Sequence, residues 1–170
     1  MKLIIIAQLL GLISFIFNFT ATQQNMKNKI LLHNGLANLF SGFQYICLGA
    51  YSGCISTFVA TTRNIVFSRF KEKVPMYVLI IYLIVAISLN YNNINNIIDV
   101  IPVLNICTYG IAICQKDVGV LKKIIITNGC LGLIYDIINF AFVGACSQIL
   151  GVIGGIIGYI RYKKVKKAYA

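Results

Sequence analysis

Two ionisable residues interrupt long apolar stretches of this sequence and are its first candidates for chemistry. Arg63 lies in the second apolar block of the chain and Asp136 in the fourth. A charge within so apolar a segment is costly unless it is paired or faces water, so such residues usually mark a functional site. The two residues are predicted to lie at similar depths in the membrane. We hypothesise that Arg63 and Asp136 face each other and either join two parts of the protein or contact a polar solute. The alternatives are that Arg63 extends along its helix to the nearer surface and that Asp136 is hydrogen-bonded by Tyr135 or Asn139.

Polar side chains also recur at the spacing of one helix face. Three stripes have steps of 4, 3 and 4 residues, which keep their members on one side of a helix. Polar groups in apolar helices need a partner or a water-filled space, so the stripes favour a central polar cavity. Hydrogen bonding between helices is the alternative. The stripes are Asn34, Asn38, Ser41 and Tyr45; Thr57, Thr61, Asn64 and Ser68; and Asn128, Gly132, Tyr135 and Asn139. The candidate solute-binding residues are Arg63, Asn64, Asp136, Asn34, Asn38, Asn128, Tyr135 and Asn139.

Catalysis and metal binding find little support in the sequence. No motif of a phosphate-binding loop, a serine hydrolase or a zinc protease occurs, and no pairing of a nucleophile with a base is apparent. Six cysteines form no CxxC pair and accompany a single histidine, His33, which is interpreted as a residue at the level of the lipid headgroups. We therefore expect a protein that is not an enzyme and that holds neither a metal nor another cofactor.

The composition explains which elements must position these residues. Of 170 residues, 59% are hydrophobic and only 11% are charged, whereas a soluble domain has about 25% charged residues. Most of the surface must therefore contact the lipid bilayer. This composition argues against a soluble enzyme, a secreted disulfide scaffold and a nucleic-acid-binding protein, although the formal net charge is +11.

Three long apolar blocks must each cross the membrane twice. Each has 37 to 39 residues, which as a helix would span about 55 to 60 Å, twice the roughly 30 Å of the hydrocarbon layer. Turn-forming residues are found within each block, at 49–53, 90–96 and 144–147. With one shorter block at the N-terminus, the sequence predicts seven transmembrane helices. Their predicted ranges are 3–20, 30–48, 54–69, 76–90, 97–114, 124–143 and 147–162.

The distribution of basic residues predicts the orientation. Thirteen of the 15 Lys and Arg residues follow helices one, three, five and seven, and none follows helices two, four or six. Because cytoplasmic loops accumulate basic residues, we predict the N-terminus outside and the C-terminus in the cytoplasm. The alternative that the first helix is a signal peptide is disfavoured, because Gln8 and Asn18 interrupt its apolar core.

A weak internal repeat groups the helices. Shifting the chain by 94 residues superposes helices one and two on helices five and six, and a two-residue gap at the turn then aligns helices three and seven. We therefore predict an all-α membrane protein with two parallel three-helix repeats, of residues 1–75 and 97–163. A linker helix and loop (76–96) join them in a 3+1+3 order, and a basic cytoplasmic tail (164–170) follows. Pro102 in helix five is a candidate hinge.

Several short segments resemble the YgjV-type bacterial inner membrane proteins nearly end to end. They are Ala7–Phe15, Leu48–Tyr51 followed by Arg63 and Arg69, Ile101–Val103, and Tyr135–Asp136 ahead of 154–161. This resemblance implies an inner-membrane location and a shared fold more than an activity. The 3+1+3 order is further similar to that of the SWEET, SemiSWEET and PQ-loop superfamily, which includes sugar uniporters and amino-acid exporters. That likeness implies that helices three and seven line a transport path, with Arg63 and Asn64 on it. The chain departs from those transporters in having no Trp, no PQ dipeptide and a single intramembrane proline, Pro102.

The sequence thus predicts a multi-pass inner-membrane protein that moves a small polar solute by alternating access. The alternative is a membrane protein that transports nothing, either a receptor or a structural partner in a membrane complex. Self-association into a homo-oligomer is compatible with both.

Overall fold

The computed structural model describes residues 2–24, 26–70, 75–114 and 118–168, and in these residues the chain is helical. Seven α-helices occur in the described part, in agreement with the predicted number. Two short 3-10 helices, Tyr91–Asn93 and Ile97–Asp99, connect the fourth helix to the fifth. The α-helices are α1 (Lys2–Gln23), α2 (Lys27–Leu48), α3 (Tyr51–Ser68), α4 (Met76–Asn90), α5 (Val100–Cys114), α6 (Val118–Ile138) and α7 (Phe142–Ala168).

Four described segments are long and apolar enough to cross a membrane. They lie in α1, α4, α5 and α7, and each extends over at least 18 residues. The helices α2 and α3 are less apolar because they carry the polar stripes, and α6 carries Lys122, Lys123 and Asp136. Large apolar side chains are exposed along α1, α4 and α7, so these helices present surface that suits contact with lipid. The four segments are Leu3–Gln23, Met76–Asn93, Ile97–Cys114 and Phe142–Lys164.

Six of the helices form a closed ring. Going round it, α1 packs against α2, α2 against α3, α3 against α5, α5 against α6, α6 against α7, and α7 against α1. The remaining helix, α4, lies outside this ring and covers the seam between α3 and α5. A ring of six helices leaves a space along its axis, and side chains that point to the axis decide whether that space is filled.

Apolar clusters occupy both ends of the ring. One contains Tyr45, Ala50, Cys54, Tyr135 and Ala141, at the end where α2 turns into α3 and α6 turns into α7. We call this the turn end. The other cluster joins the starts of α2, α4 and α6 to the ends of α3 and α5. We call this the basic end because the basic residues flank it. Its buried members are Ile30, Leu31, Phe67, Leu79, Tyr109, Ala112, Ile113 and Leu121.

The two turns at the turn end have the same backbone geometry. After α2, Gly49 adopts φ 73° and the Ala50 N–H donates to the carbonyl of Tyr45 at 3.0 Å. After α6, Phe140 adopts φ 57° and the Ala141 N–H donates to the carbonyl of Asp136 at 2.9 Å. Both are helix ends closed by a left-handed residue and a hydrogen bond that reaches back five residues.

The position of the second turn corrects the sequence-based expectation. We predicted helix six to residue 143 and a turn at 144–147, whereas α6 ends at Ile138 and α7 begins at Phe142. Gly144 is required for packing instead, because a Cβ atom there would lie 3.0 Å from a carboxylate oxygen of Asp136. The chain turns at Phe140, which adopts the left-handed conformation directly after Asn139, rather than at the predicted Gly144.

Candidate functional site

A polar cavity of about 170 Å³ lies on the axis of the ring. All six ring helices contribute to it and α4 does not. It is smaller than the roughly 300 to 1,000 Å³ of sites for drug-sized ligands, so only a small solute or a few waters would fit. Its lining residues are Asn18, Asn34, Asn38, Ser41, Tyr45, Gly53, Ser56, Thr57, Ala60, Arg63, Asn64, Pro102, Asn105, Ile106, Tyr109, Ile125, Asn128, Gly129, Gly132, Tyr135 and Gln148.

The structure brings most of the candidate residues together around this cavity. Asp136 and Asn139 are the exceptions. The Asn139 side chain donates to the carbonyl of Tyr135 at 2.9 Å, at the end of its own helix. Pro102, the candidate hinge, also lines the cavity, in the first turn of α5. That these residues bind a solute stays a prediction. The candidates that line the cavity are Asn34, Asn38, Arg63, Asn64, Asn128 and Tyr135.

Arg63 is buried, with 1% of its surface exposed, and its guanidinium contacts only neutral groups among the described residues. Nε and Nη2 donate to the side-chain oxygen of Asn64 at 3.2 and 3.1 Å, and Nη1 donates to the carbonyl of Ile106 at 2.8 Å. The ring of Tyr109 lies against one face, 5.0 Å from the guanidinium carbon to the ring centroid. The side chain is thus fixed between α3 and α5 rather than extended to a membrane surface.

Asp136 lies at the turn end, where Tyr45 donates its hydroxyl proton to the carboxylate at 2.5 Å. Gln148 of α7 also interacts with this carboxylate. Asp136 is 1% exposed, and in the described part of the chain no Lys or Arg pairs with it.

The proposed pairing of Arg63 with Asp136 is therefore wrong. The physical reason is depth. Arg63 is 12 residues from the turn-end start of α3, about 18 Å along the helix, whereas Asp136 is two residues from the turn-end terminus of α6, about 3 Å. The expected equality of depth depended on helix boundaries that the structure places elsewhere.

Two tyrosines close the cavity at the turn end. The ring centroids of Tyr45 and Tyr135 are 5.6 Å apart in an edge-to-face arrangement. The Tyr135 hydroxyl accepts a hydrogen bond from the Gly53 N–H at 2.9 Å. A Cβ atom at Gly53 would lie 2.7 Å from the Tyr135 ring, so only glycine allows this approach. Both rings line the cavity, and the Asp136 carboxylate lies behind them.

Two asparagines of the cavity wall are hydrogen-bonded to neighbouring helices. Asn34 donates to the hydroxyl of Tyr109 at 2.5 Å, which joins α2 to α5. Asn128 donates to the carbonyl of Asn105 at 3.0 Å and accepts from Thr108 at 2.8 Å, which joins α6 to α5. These contacts match the interhelical alternative for the stripes.

Other polar atoms on the cavity wall lack a protein partner. They are the amide nitrogen of Asn64, the hydroxyl of Ser56 and the side-chain oxygen of Asn105, all buried. Buried polar atoms nearly always have a hydrogen-bond partner, so each of these indicates an occupant of the cavity, either water or a solute. The set offers a donor, a hydroxyl and an acceptor.

The sequence analysis missed two important cavity residues, Gln148 and Tyr109. Gln148 is the only amide side chain in α7, and this could have marked it as a candidate. It was missed because the predicted turn ended at residue 147 and left Gln148 at a helix end. Tyr109 belongs to none of the three stripes. Its hydroxyl contacts Asn34 on another helix, and the periodicity of a single helix cannot predict such a contact.

Residues with metal-ligating side chains do not converge in the described part of the chain. No group of three or more His, Cys, Asp or Glu side chains occurs there. The ring of His33 bonds to the carbonyl of Lys29 within α2 at 2.8 Å.

Comparison with known proteins identifies a family. The model of the Imp-YgjV family, described as bacterial inner membrane protein, matches residues 5–166. This range includes every residue that lines the cavity. No curated protein and no solved structure matches the chain.

Proposed function

The chain belongs to the Imp-YgjV family of bacterial inner membrane proteins, and we propose that in this membrane it is a SWEET-like facilitator that moves a small polar solute by alternating access. The observation that carries this proposal is the axial cavity, whose wall holds buried polar atoms without a protein partner. The cavity is closed at the turn end by Tyr45 and Tyr135. Solute would enter from one side and leave from the other when this closure opens.

The proposed topology has seven crossings, with the N-terminus outside and the C-terminus in the cytoplasm. Two parallel three-helix units, α1–α3 and α5–α7, are joined by α4. The ring supports this arrangement, because the contact of α1 with α7 becomes the contact of α5 with α3 when the two units are exchanged. A two-fold axis along the membrane normal would produce this reciprocity.

Details at equivalent positions support the same repeat. The Ser14 side chain on α1 donates to the carbonyl of Ala37 on α2 at 2.9 Å, and 91 residues later the same two positions are joined by the Asn128 side chain on α6, which donates to the carbonyl of Asn105 on α5 at 3.0 Å. The left-handed residues Gly49 and Phe140 that end α2 and α6 are 91 residues apart. The contacts before the turn and the turn itself thus share an offset of 91 residues, whereas the sequence alignment used 94 before the turn and 92 after it.

Several polar contacts between the proposed units lie at the turn end. The amide of Gln8 on α1 donates to the carbonyl of Phe140 at 3.2 Å and accepts from the N–H of Val143 at 3.0 Å. On the opposite seam, Ser52 on α3 donates to the carbonyl of Asp99 at 2.7 Å. Together with the bond from Tyr45 to Asp136, these contacts would have to break when this end opens.

The proposed hinge at Pro102 acts at a helix start. Pro102 is the third residue of α5, where the missing N–H removes no hydrogen bond within the helix. The 3-10 helix Ile97–Asp99 directly precedes α5. A hinge here would bend the junction of the 3-10 helix with α5 rather than the interior of a helix.

Uptake into sealed proteoliposomes tests the proposal. The panel contains labelled sugars, amino acids, organic acids and nucleosides, and the protein is compared with Thr57→Phe. Thr57 lines the cavity, so the phenyl ring is expected to fill it and abolish uptake. The matched control is Thr62→Phe on the same helix, where Thr62 is exposed and does not line the cavity.

Uptake that survives Thr62→Phe and is lost in Thr57→Phe would support transport through this cavity. Equal uptake by both variants would place any transport elsewhere and refute the proposed path.

The second candidate function is a membrane protein without transport, either a receptor or a structural partner. The hydrogen bonds of Asn34 to Tyr109 and of Asn128 to α5 favour it, because they join helices and leave less of the polar stripe for a solute. This reading predicts a folded protein that shows no uptake of any panel member. We further propose that the protein is not an enzyme.

A further inference from the structure

The charge that borders the cavity is entirely positive in the described part of the chain. Arg63 is the only charged residue among the lining residues. The two carboxylates of the described part, Asp99 and Asp136, do not line it. Asp99 accepts from the backbone N–H groups of Asn95 and Asn96, and Asp136 is held behind the tyrosines.

Among the described residues, no contact of Arg63 is with an anion. A guanidinium group has five N–H donors, and three of them are engaged by neutral oxygens of Asn64 and Ile106. Neutral acceptors satisfy hydrogen bonds but cancel no charge. A buried cation is costly unless an anion pairs with it, so this position is complete only with an anionic partner.

Asn64 adds a donor next to this cation. Its side-chain oxygen is occupied by Arg63, which fixes the orientation of the amide. The amide nitrogen therefore points away from Arg63; it has no partner, and the residue is 0% exposed and lines the cavity. An N–H group beside a guanidinium suits an acceptor with two oxygens, which is the geometry of a carboxylate.

We propose that Arg63 and Asn64 bind the carboxylate of a small organic acid. This inference rests on the proposed function and narrows the solute from any small polar molecule to a monocarboxylate. The cavity volume of about 170 Å³ limits its size. The unpaired side-chain oxygen of Asn105, the residue before the Ile106 whose carbonyl accepts from Arg63, suits a hydroxyl group, so small hydroxy acids such as lactate are the best probes.

The first test needs no variant. The thermal stability of the detergent-purified protein is measured against lactate and against lactamide, which has the same shape but no charge, with acetate and acetamide as a second pair. A ligand of the folded state raises stability with its concentration. We expect lactate to bind at least tenfold more tightly than lactamide, because hydrogen bonds to charged groups are the stronger ones.

Three variants then locate the site. Arg63→Gln removes the charge, and Asn64→Asp places a carboxylate where it pairs with Arg63 and neutralises it without loss of the existing hydrogen bonds. Both are expected to weaken lactate binding by roughly tenfold to a hundredfold, and Asn64→Asp keeps the test valid if Arg63→Gln does not fold. The control is Lys122→Gln, because Lys122 is a buried cation that does not line the cavity, and lactate binding should be unchanged.

The outcomes separate this inference from the proposed function. Tight lactate binding that is lost in Asn64→Asp and kept in Lys122→Gln supports the carboxylate site. Equal affinity for lactate and lactamide, or uptake of a neutral solute that Asn64→Asp leaves unchanged, overturns the carboxylate site but not the facilitator. If no carboxylate binds and no solute of the panel is taken up, both are overturned.

Discussion

The contact of Gly53 with Tyr135 gives the sharpest prediction for the closure at the turn end. In Gly53→Ala, the new methyl group would lie 2.7 Å from a ring carbon and 2.8 Å from the hydroxyl oxygen of Tyr135. Carbon atoms without a bond pack at about 3.5 to 4.0 Å, so the ring must move by about 1 Å. Tyr135 is buried against Tyr45, and its hydroxyl accepts the Gly53 N–H at 2.9 Å.

Two costs and one gain decide the magnitude. Overpacking in a closely packed site costs about 1 to 3 kcal/mol, and the lost hydrogen bond costs about 0.5 to 1.5 kcal/mol. Replacing glycine by alanine in a helix returns about 0.5 to 1 kcal/mol. We therefore expect Gly53→Ala to lower the free energy of unfolding by roughly 0.5 to 4 kcal/mol.

Unfolding of the detergent-purified protein by heat or by a denaturing detergent measures this change. The matched control is Gly151→Ala in α7, where nothing lies within 4 Å of the added Cβ and the substitution should be neutral or stabilising. The double variant Gly53→Ala with Tyr135→Leu should recover part of the loss, because it removes the ring that the methyl group meets. If Gly53→Ala is as stable as Gly151→Ala, the closure described above does not exist.

Three further predictions concern the buried charges and the second turn. In a double-mutant cycle of Tyr45→Phe with Asp136→Asn, unfolding measurements should give a coupling of about 1.5 to 3 kcal/mol, the range for a hydrogen bond to a charged group; a coupling near zero would mean that the two side chains do not touch. Exchanging the charges in the double variant Arg63→Asp with Asp136→Arg should not recover the expression lost in either single variant, because the two residues have different partners; recovery would restore the pairing hypothesis. Phe140→Gly should raise the free energy of unfolding by about 0.5 kcal/mol by removing the left-handed strain, and Gly49→Ala should lower it by about 1 kcal/mol. If thermal unfolding showed that Phe140→Gly destabilises the protein or that Gly49→Ala stabilises it, the shared turn geometry would be contradicted.

Helix number and the direction of the polar stripes were predictable because both depend on local order in the chain. The 4, 3, 4 spacing of Asn34, Asn38, Ser41 and Tyr45 is a property of one helix, and the structure places all four on the cavity wall. The lengths of the apolar blocks similarly predict how many helices they hold.

The position of the second turn was not predicted, because the residue that adopts the left-handed conformation there is not of the usual type. Left-handed residues are usually glycine or asparagine, and the sequence offers Gly144 a few residues beyond the real turn. The chain uses Phe140 for the turn and Gly144 for close packing against Asp136. Because the turn was predicted to include Gly144, the predicted start of α7 was residue 147 instead of Phe142. Gln148 was therefore not recognised as a cavity residue.

The sequence by itself determined three features of this protein: the seven helices, the polar stripe on α2, and a buried charge in each of two apolar blocks. What only the tertiary structure decided is the partners of those charges. Arg63 is held by a carbonyl of α5 and a tyrosine ring of α5, and Asp136 by a tyrosine of α2. These contacts join residues 43, 46 and 91 positions apart, and their existence depends on which helices pack side by side. Helical periodicity fixes the direction of a side chain from its own axis, but the neighbour it meets there is set by the closing of the whole ring.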